Sequence, residues 1–184
     1  MSAIDKNQLP LTVGILIFDQ VEVLDVAGPF EVFAVTRLDE ERRQEESSPF
    51  RVLLVAENMD QVSAIGGLRF TPDVTKDNCP ELDLLIVPGG MGTRTQVKNT
   101  NLLKWIANKS TRTRLTGSVC TGSSLLGKAG LLDGREATTH WHAFDFLRQA
   151  APATHIRKDL QFTIDGPISL LQVFLLELTW LYIL

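Results

Sequence analysis

Two almost unbroken apolar runs, residues 11–18 and 82–87, constrain this chain most. Such runs mark parallel strands buried on both faces of a sheet. Between and after them the pattern changes. Pro29 suits the first turn of a helix, and Phe30, Val32, Phe33, Val35 and Leu38 supply its apolar face. That helix is expected to end in the solvated stretch 39–49. Residues 50–56 read as a second strand, and 62–70, broken by Gly66-Gly67, as a small hairpin. Residues 99–108 read as a helix with Leu102, Leu103 and Ile106 inward, 115–119 as a strand, and 142–150 as a short helix. Strands alternating with helices predict an α/β fold: a doubly wound, mostly parallel sheet with helices on both faces.

In such sheets ligands bind at the carboxyl ends of the strands. Three distant segments deliver residues there: 19–25 after the first strand, Gly89-Gly90 after the third, and Cys120 after the fourth.

Cys120 ends a short strand and is followed at once by a helical stretch rich in small residues. This is the form of a nucleophile elbow, which pushes one side chain out of the packed layers. A helix N-terminus there is expected to favour thiolate over thiol. The plain alternative is an inert buried cysteine. Cys79 precedes Pro80 in a polar loop and reads as structural.

Asp25 lies just before the expected first helix, between Leu24 and Val26. It can face the nucleophile and exchange a proton, or it can simply cap the helix. The N–H groups of Gly89 and Gly90, with that of Thr121, can form a donor pair for developing negative charge. A tight turn is the alternative; a phosphate loop lacks its Lys-Ser/Thr. Thr121 also brings a hydroxyl, or is merely a first helical residue. His140 and His142 stand two apart without a third ligand at recognised spacing, so no metal is expected. His140 is a candidate orienting group beside the substrate, His142 a helix start, and His155 a surface residue.

Composition narrows the function class. Hydrophobic residues make up 44% of 184, enough to build one domain with a sizeable core. The net charge of −4 and a pI near 5.4 speak against nucleic-acid binding. Residues 1–10 are polar and lack an apolar signal core, so a reducing, cytoplasmic setting is the expectation.

The motifs Phe18-Asp19, Leu24-Asp25-Val-Ala-Gly28-Pro29-Phe-Glu-Val-Phe33, Val87-Pro88-Gly89-Gly90 and Val119-Cys120-Thr121-Gly122 resemble the ThiJ/PfpI superfamily. So does the stretch from Ala129-Gly130 to Thr138-Thr139-His140-Trp141. The resemblance runs from about residue 11 to 166 and points to the isonitrile hydratase branch. It implies a flavodoxin-like, class I glutamine amidotransferase-like fold and a homodimer. It also implies Cys120 as nucleophile, Asp25 as acidic partner, Thr121 as assisting neighbour and no cofactor. Many relatives carry glutamate where Asp25 stands; the shorter aspartate favours hydration of isonitriles over glyoxalase or deglycase chemistry on small aldehydes. Related domains also form the sensor half of transcription regulators, which continue into a helix-turn-helix segment for which this chain is too short.

Residues 167–184 depart from that pattern. Permitted codons for residues 170–182, read one base earlier, give Ser-Ala-Gly-Val-Ser-Ala-Gly-Ile-Asp-Leu-Ala-Leu, which resembles the superfamily's continuation. The expectation is a polar extension over 1–10, a domain over 11–166, and an atypical apolar tail. That tail is expected to arise from a frame slip, a splicing change or a gene-model error, which would leave the domain's C-terminus incomplete. With Glu177 inside and its short length, the tail is not expected to span a membrane.

Overall fold

A computed structural model of the chain describes residues 9–172. The extension up to residue 8 and the tail from residue 173 lie outside the described residues.

The first apolar run forms β1 (Leu11–Leu16), and the strands β2 (Phe50–Ala56), β6 (Leu84–Val87) and β7 (Leu115–Val119) lie beside it. The small strands β3 (Val62–Ser63) and β4 (Arg69–Phe70) form the expected hairpin, with Val62 opposite Phe70. A short β5 (Val74–Thr75) pairs with the end of β2. Later come β8 (Glu136–Ala137), β9 (His155–Ile156), β10 (Phe162–Asp165) and β11 (Ile168–Leu171). The helices are α1 (Val23–Val35), α2 (Thr93–Gln96), α3 (Thr100–Ser110), α4 (Ser123–Lys128) and α5 (Phe144–Ala150).

The main sheet has seven strands in the order β10-β11-β7-β6-β1-β2-β5. Every pairing is parallel except that of β10 with β11. From β1 the chain moves outward to β2, then returns past β1 to β6 and moves the other way through β7 to β11. Right-handed crossovers therefore put α1 on one face and α3 on the other. The reversal falls between β1 and β6, where doubly wound sheets open their ligand crevice. Every residue of β6 and β7 is buried, including Thr116 and Ser118, as central strands covered on both faces require.

Two elements depart from expectation. Helix α1 starts at Val23, so Pro29 lies inside it rather than in its first turn. A proline there removes the bond that the Asp25 carbonyl would otherwise accept. Buried Val26, Pro29 and Phe33 hold the helix on the sheet despite that loss. The sheet also runs past residue 166. Ile168–Leu171 fills the gap between β7 and β10, with Leu170 opposite both Ser118 and Thr163.

Candidate active site

The nucleophile elbow is present in the backbone. Cys120 has φ +54°, a left-handed conformation unusual for a residue with a β-carbon. A single 3-10 turn, Cys120–Gly122, follows it and leads into α4. The elbow fits because Gly122 has no side chain. A β-carbon there would lie 2.0 Å from the Val87 carbonyl oxygen at the end of β6. Two buried hydroxyls fasten the turn. Thr139 Oγ1 donates to the Cys120 carbonyl at 3.0 Å, and Ser123 Oγ donates to the same oxygen at 3.2 Å.

Asp25 comes from α1, which starts just beyond β1. It occupies the first turn of the helix and is 2% exposed, while its neighbour Leu24 is half exposed. The N-cap position belongs to Glu22, so Asp25 does not cap the helix. One carboxyl oxygen accepts the Gly89 N–H at 2.9 Å, and the nearby Cys120 side chain acts to lower the Asp25 pKa. Gly89 is closely wrapped: a β-carbon there would come within 2.8 Å of Asp25 Oδ2 and 2.6 Å of the Thr121 nitrogen. Gly90 has φ +115° and presses its backbone against Gln20 and Glu22. The loop after β6 is thus the wedge that brings α1 and the elbow together.

Thr121 is buried. Its hydroxyl accepts the Gly90 N–H at 3.0 Å and lies 3.2 Å from the Gly90 carbonyl oxygen. Its N–H and hydroxyl act to lower the Cys120 pKa, against the effect of burial. The expected donor pair is therefore arranged differently. The Gly89 and Gly90 N–H groups hold Asp25 and Thr121.

Protonation also differs from the sequence reading. A helix N-terminus was expected to favour thiolate. Instead burial, with the Asp25 carboxylate beside it, pushes the Cys120 thiol up to about 12. Burial is likewise the main cause that raises Asp25 to about 7, opposed by the Gly89 N–H and assisted by Glu22. The helix that follows is six residues long, and burial is the largest influence on the thiol. Cys120 and Asp25 thus form a coupled pair that holds a proton at neutral pH.

His140 is partly buried and stands next to Thr139, which binds the elbow. Its Nδ1 accepts the His142 N–H at 3.3 Å, closing the 3-10 turn Trp141–Ala143 before α5. Burial lowers its pKa, so the ring stays neutral at neutral pH. His142 lies within that turn, and His155 is exposed on β9. Cys79 is partly buried, and Lys109 bonds its carbonyl. Among the described residues no group of three or more His, Cys, Asp or Glu could hold a metal ion. Nor is any described helix long and apolar enough to cross a membrane.

Sequence reasoning missed three contributors. Thr93 and Ser123 gave no signal beyond being small hydroxyl residues near glycines. Thr139 stood inside a recognised motif, but only the folded chain brings it to Cys120, nineteen positions away.

A flavodoxin-like sheet with a cysteine elbow beside a buried acid defines a class of α/β proteins built around one thiol. The chain belongs to the DJ-1/PfpI family, whose pattern matches residues 11–168. It is 39% identical over 140 residues to the isonitrile hydratase of Pseudomonas putida, covering 76% of this chain and 56% of that protein. It is 31% identical over 160 residues to the HTH-type transcriptional regulator GbdR of Pseudomonas aeruginosa, covering 87% of this chain and 42% of the regulator. The chain thus spans about half the length of these curated relatives. The crystal structure of a ThiJ/PfpI family protein from Pseudomonas syringae matches with a TM-score of 0.78 at 26% identity, over 98% of this chain and 72% of that one.

Proposed function

We propose that this chain hydrates isonitriles to N-substituted formamides, with Cys120 as nucleophile and Asp25 as its proton partner. One observation carries the reading: a partly buried thiol on a left-handed elbow stands beside a buried carboxyl group, and desolvation raises the pKa of both. Isonitrile hydration needs that combination. The terminal carbon must receive both a nucleophile and a proton. Cys120 sulfur attacks this carbon while its own proton, relayed by Asp25, goes to the same carbon. A thioimidate forms. Water adds to its C=N carbon, and the nitrogen takes up a proton. Collapse then breaks the C–S bond, returns the proton to the sulfur and releases the formamide. The Thr121 N–H and hydroxyl stabilise negative charge on the sulfur as it attacks and as it leaves. Similarity to an isonitrile hydratase supports the reading. A cytoplasmic homodimer is part of the same proposal.

A second reading has a specific observation behind it. The similarity to GbdR allows a domain that binds a small ligand without turning it over.

The deciding experiment follows formamide production from cyclohexyl isocyanide. The parent chain is expected to turn over, and Cys120→Ala to lose about three orders of magnitude or more. Asp25→Asn should keep binding and lose about 10²–10³-fold in rate. Turnover by Cys120→Ala at the parent rate overturns the mechanism. Ligand binding without turnover in the parent favours the sensor reading.

A further inference from the structure

Strands β1 and β2 are parallel, so α1, which joins them, runs back along the sheet. Its N-terminus therefore stands at the carboxyl ends of the strands, at the mouth of the site. Asp25 is the third residue of the helix and is buried. Glu22 is the N-cap, one turn farther out, and is partly exposed. Side chains at these two positions face one another, which is how a capping box forms. Here no box forms. Glu22 makes no side-chain cap bond, and the Asp25 carboxyl takes the Gly89 N–H at 2.9 Å. The Glu22 N–H goes to the Gly89 carbonyl at 3.0 Å, so one glycine links both acids. That glycine also lies against the elbow, since a β-carbon on it would come within 2.6 Å of the Thr121 nitrogen.

Glutamate is not a favoured N-cap residue, and this helix end draws no bond from it. Its carboxylate is left for whatever enters the site. No cation on the facing element offsets it. Helix α2 begins with Thr93, whose hydroxyl lies 2.7 Å from the Gly90 carbonyl oxygen and 3.3 Å from Thr121 Oγ1. The next residue, Arg94, is engaged elsewhere: its guanidinium lies 5.3 Å from the centre of the Phe146 ring and 3.4 Å from the Met91 sulfur. In keeping with this arrangement, the charges felt at the Cys120 sulfur are those of Asp25 and Glu22, and both disfavour thiolate.

We propose that Glu22 is a specificity-determining residue: its carboxylate at the mouth repels anions, so Cys120 accepts neutral or cationic substrates and rejects those bearing a carboxylate or phosphate. The substrate class rests on the hydratase reading and becomes isonitriles whose N-substituent carries no negative charge. The repulsion acts over a few ångströms and is weakened by salt.

The test compares alkylation of Cys120 by iodoacetate, an anion, with alkylation by iodoacetamide, its neutral analogue. Both are run at one pH and low ionic strength and followed by peptide mass. Both reagents consume the same thiolate, so their rate ratio cancels any change in thiol ionisation and leaves the charge of the reagent. Glu22→Gln should raise the iodoacetate-to-iodoacetamide ratio at Cys120 about 3- to 10-fold and leave the ratio at Cys79 unchanged. Glu22→Lys should raise it further, and Glu22→Asp should stay within about twofold of the parent. Salt at about 0.5 M should bring the parent and Glu22→Gln together. Where the Cys79 rate reveals an opened fold in Glu22→Gln, Glu22→Ala replaces it in the same comparison. A parent-like ratio in Glu22→Gln overturns the inference, as does a Glu22→Asp ratio equal to that of the glutamine variant. These ratios need no substrate, so failure of the hydratase reading and failure of this inference are told apart. Where the parent hydrates cyclohexyl isocyanide, Glu22→Gln should also raise kcat/KM for isocyanoacetate relative to that for the neutral isonitrile, by a similar factor; an unchanged preference overturns the substrate class.

Discussion

Asp25 ties the chemistry of the site to the stability of the fold. Its carboxyl is raised from the ordinary 3.8 to about 7, chiefly by burial. Between those values the folded chain keeps a proton that the unfolded chain has released. Stability conferred by the neutral group is complete below about pH 4 and is lost as pH rises through about 7. Asp25→Asn removes this dependence while keeping an oxygen for the Gly89 N–H. Its stability relative to the parent should therefore improve between about pH 4 and pH 8, by on the order of 2–4 kcal/mol. Urea unfolding at both pH values measures it, and an unchanged difference contradicts the raised pKa. At the elbow, Thr139→Val takes a donor from the Cys120 carbonyl. The expected loss is about 1–3 kcal/mol together with slower alkylation of Cys120, and Thr139→Ser should recover both.

At the scale of elements, the site is a junction of three strand ends rather than a cavity within one motif. The end of β1 leads into α1 and Asp25, the end of β6 into the glycine wedge, and the end of β7 into the elbow. Their separation is set by parallel pairing, with Val87 of β6 opposite Ser118 of β7. Gly122 lies against the end of β6 with no room for a side chain. Gly122→Ala is therefore expected to lift the elbow from β6 and cost about 3 kcal/mol, read as a lower midpoint in urea. Loss of Cys120 reactivity should accompany it. A parent-like midpoint would mean that the approach relaxes without moving the elbow.

The whole molecule depends on a strand beyond the expected domain boundary. Ile168–Leu171 joins β7 to β10, and Leu170 is 1% exposed. Leu170→Ala should therefore behave as a core deletion and cost about 2–5 kcal/mol. Unfolding by circular dichroism and by loss of Cys120 protection should shift together, because the elbow rises from the strand next to β11. Near-parent stability would mean that β11 contributes little to the sheet.

The apolar runs, the hairpin glycines and the small residues around Cys120 were legible in the sequence because each reflects a local demand. A strand covered on both faces needs apolar side chains throughout, and an elbow packed against a neighbouring strand needs glycine. The position of Asp25 near Cys120 was legible as well, through the converging strand ends. Three things were decided only by the tertiary structure. Packing of Val26 and Phe33 on the sheet lets α1 begin at Val23 and carry Pro29 inside it. Thr93 and Thr139 reach the site from segments whose composition is unremarkable. The proton held by Cys120 and Asp25 reverses the thiolate expectation. A helix dipole can be read from adjacent residues, but desolvation is a sum over every segment that covers the pair, and those segments meet only in the folded chain.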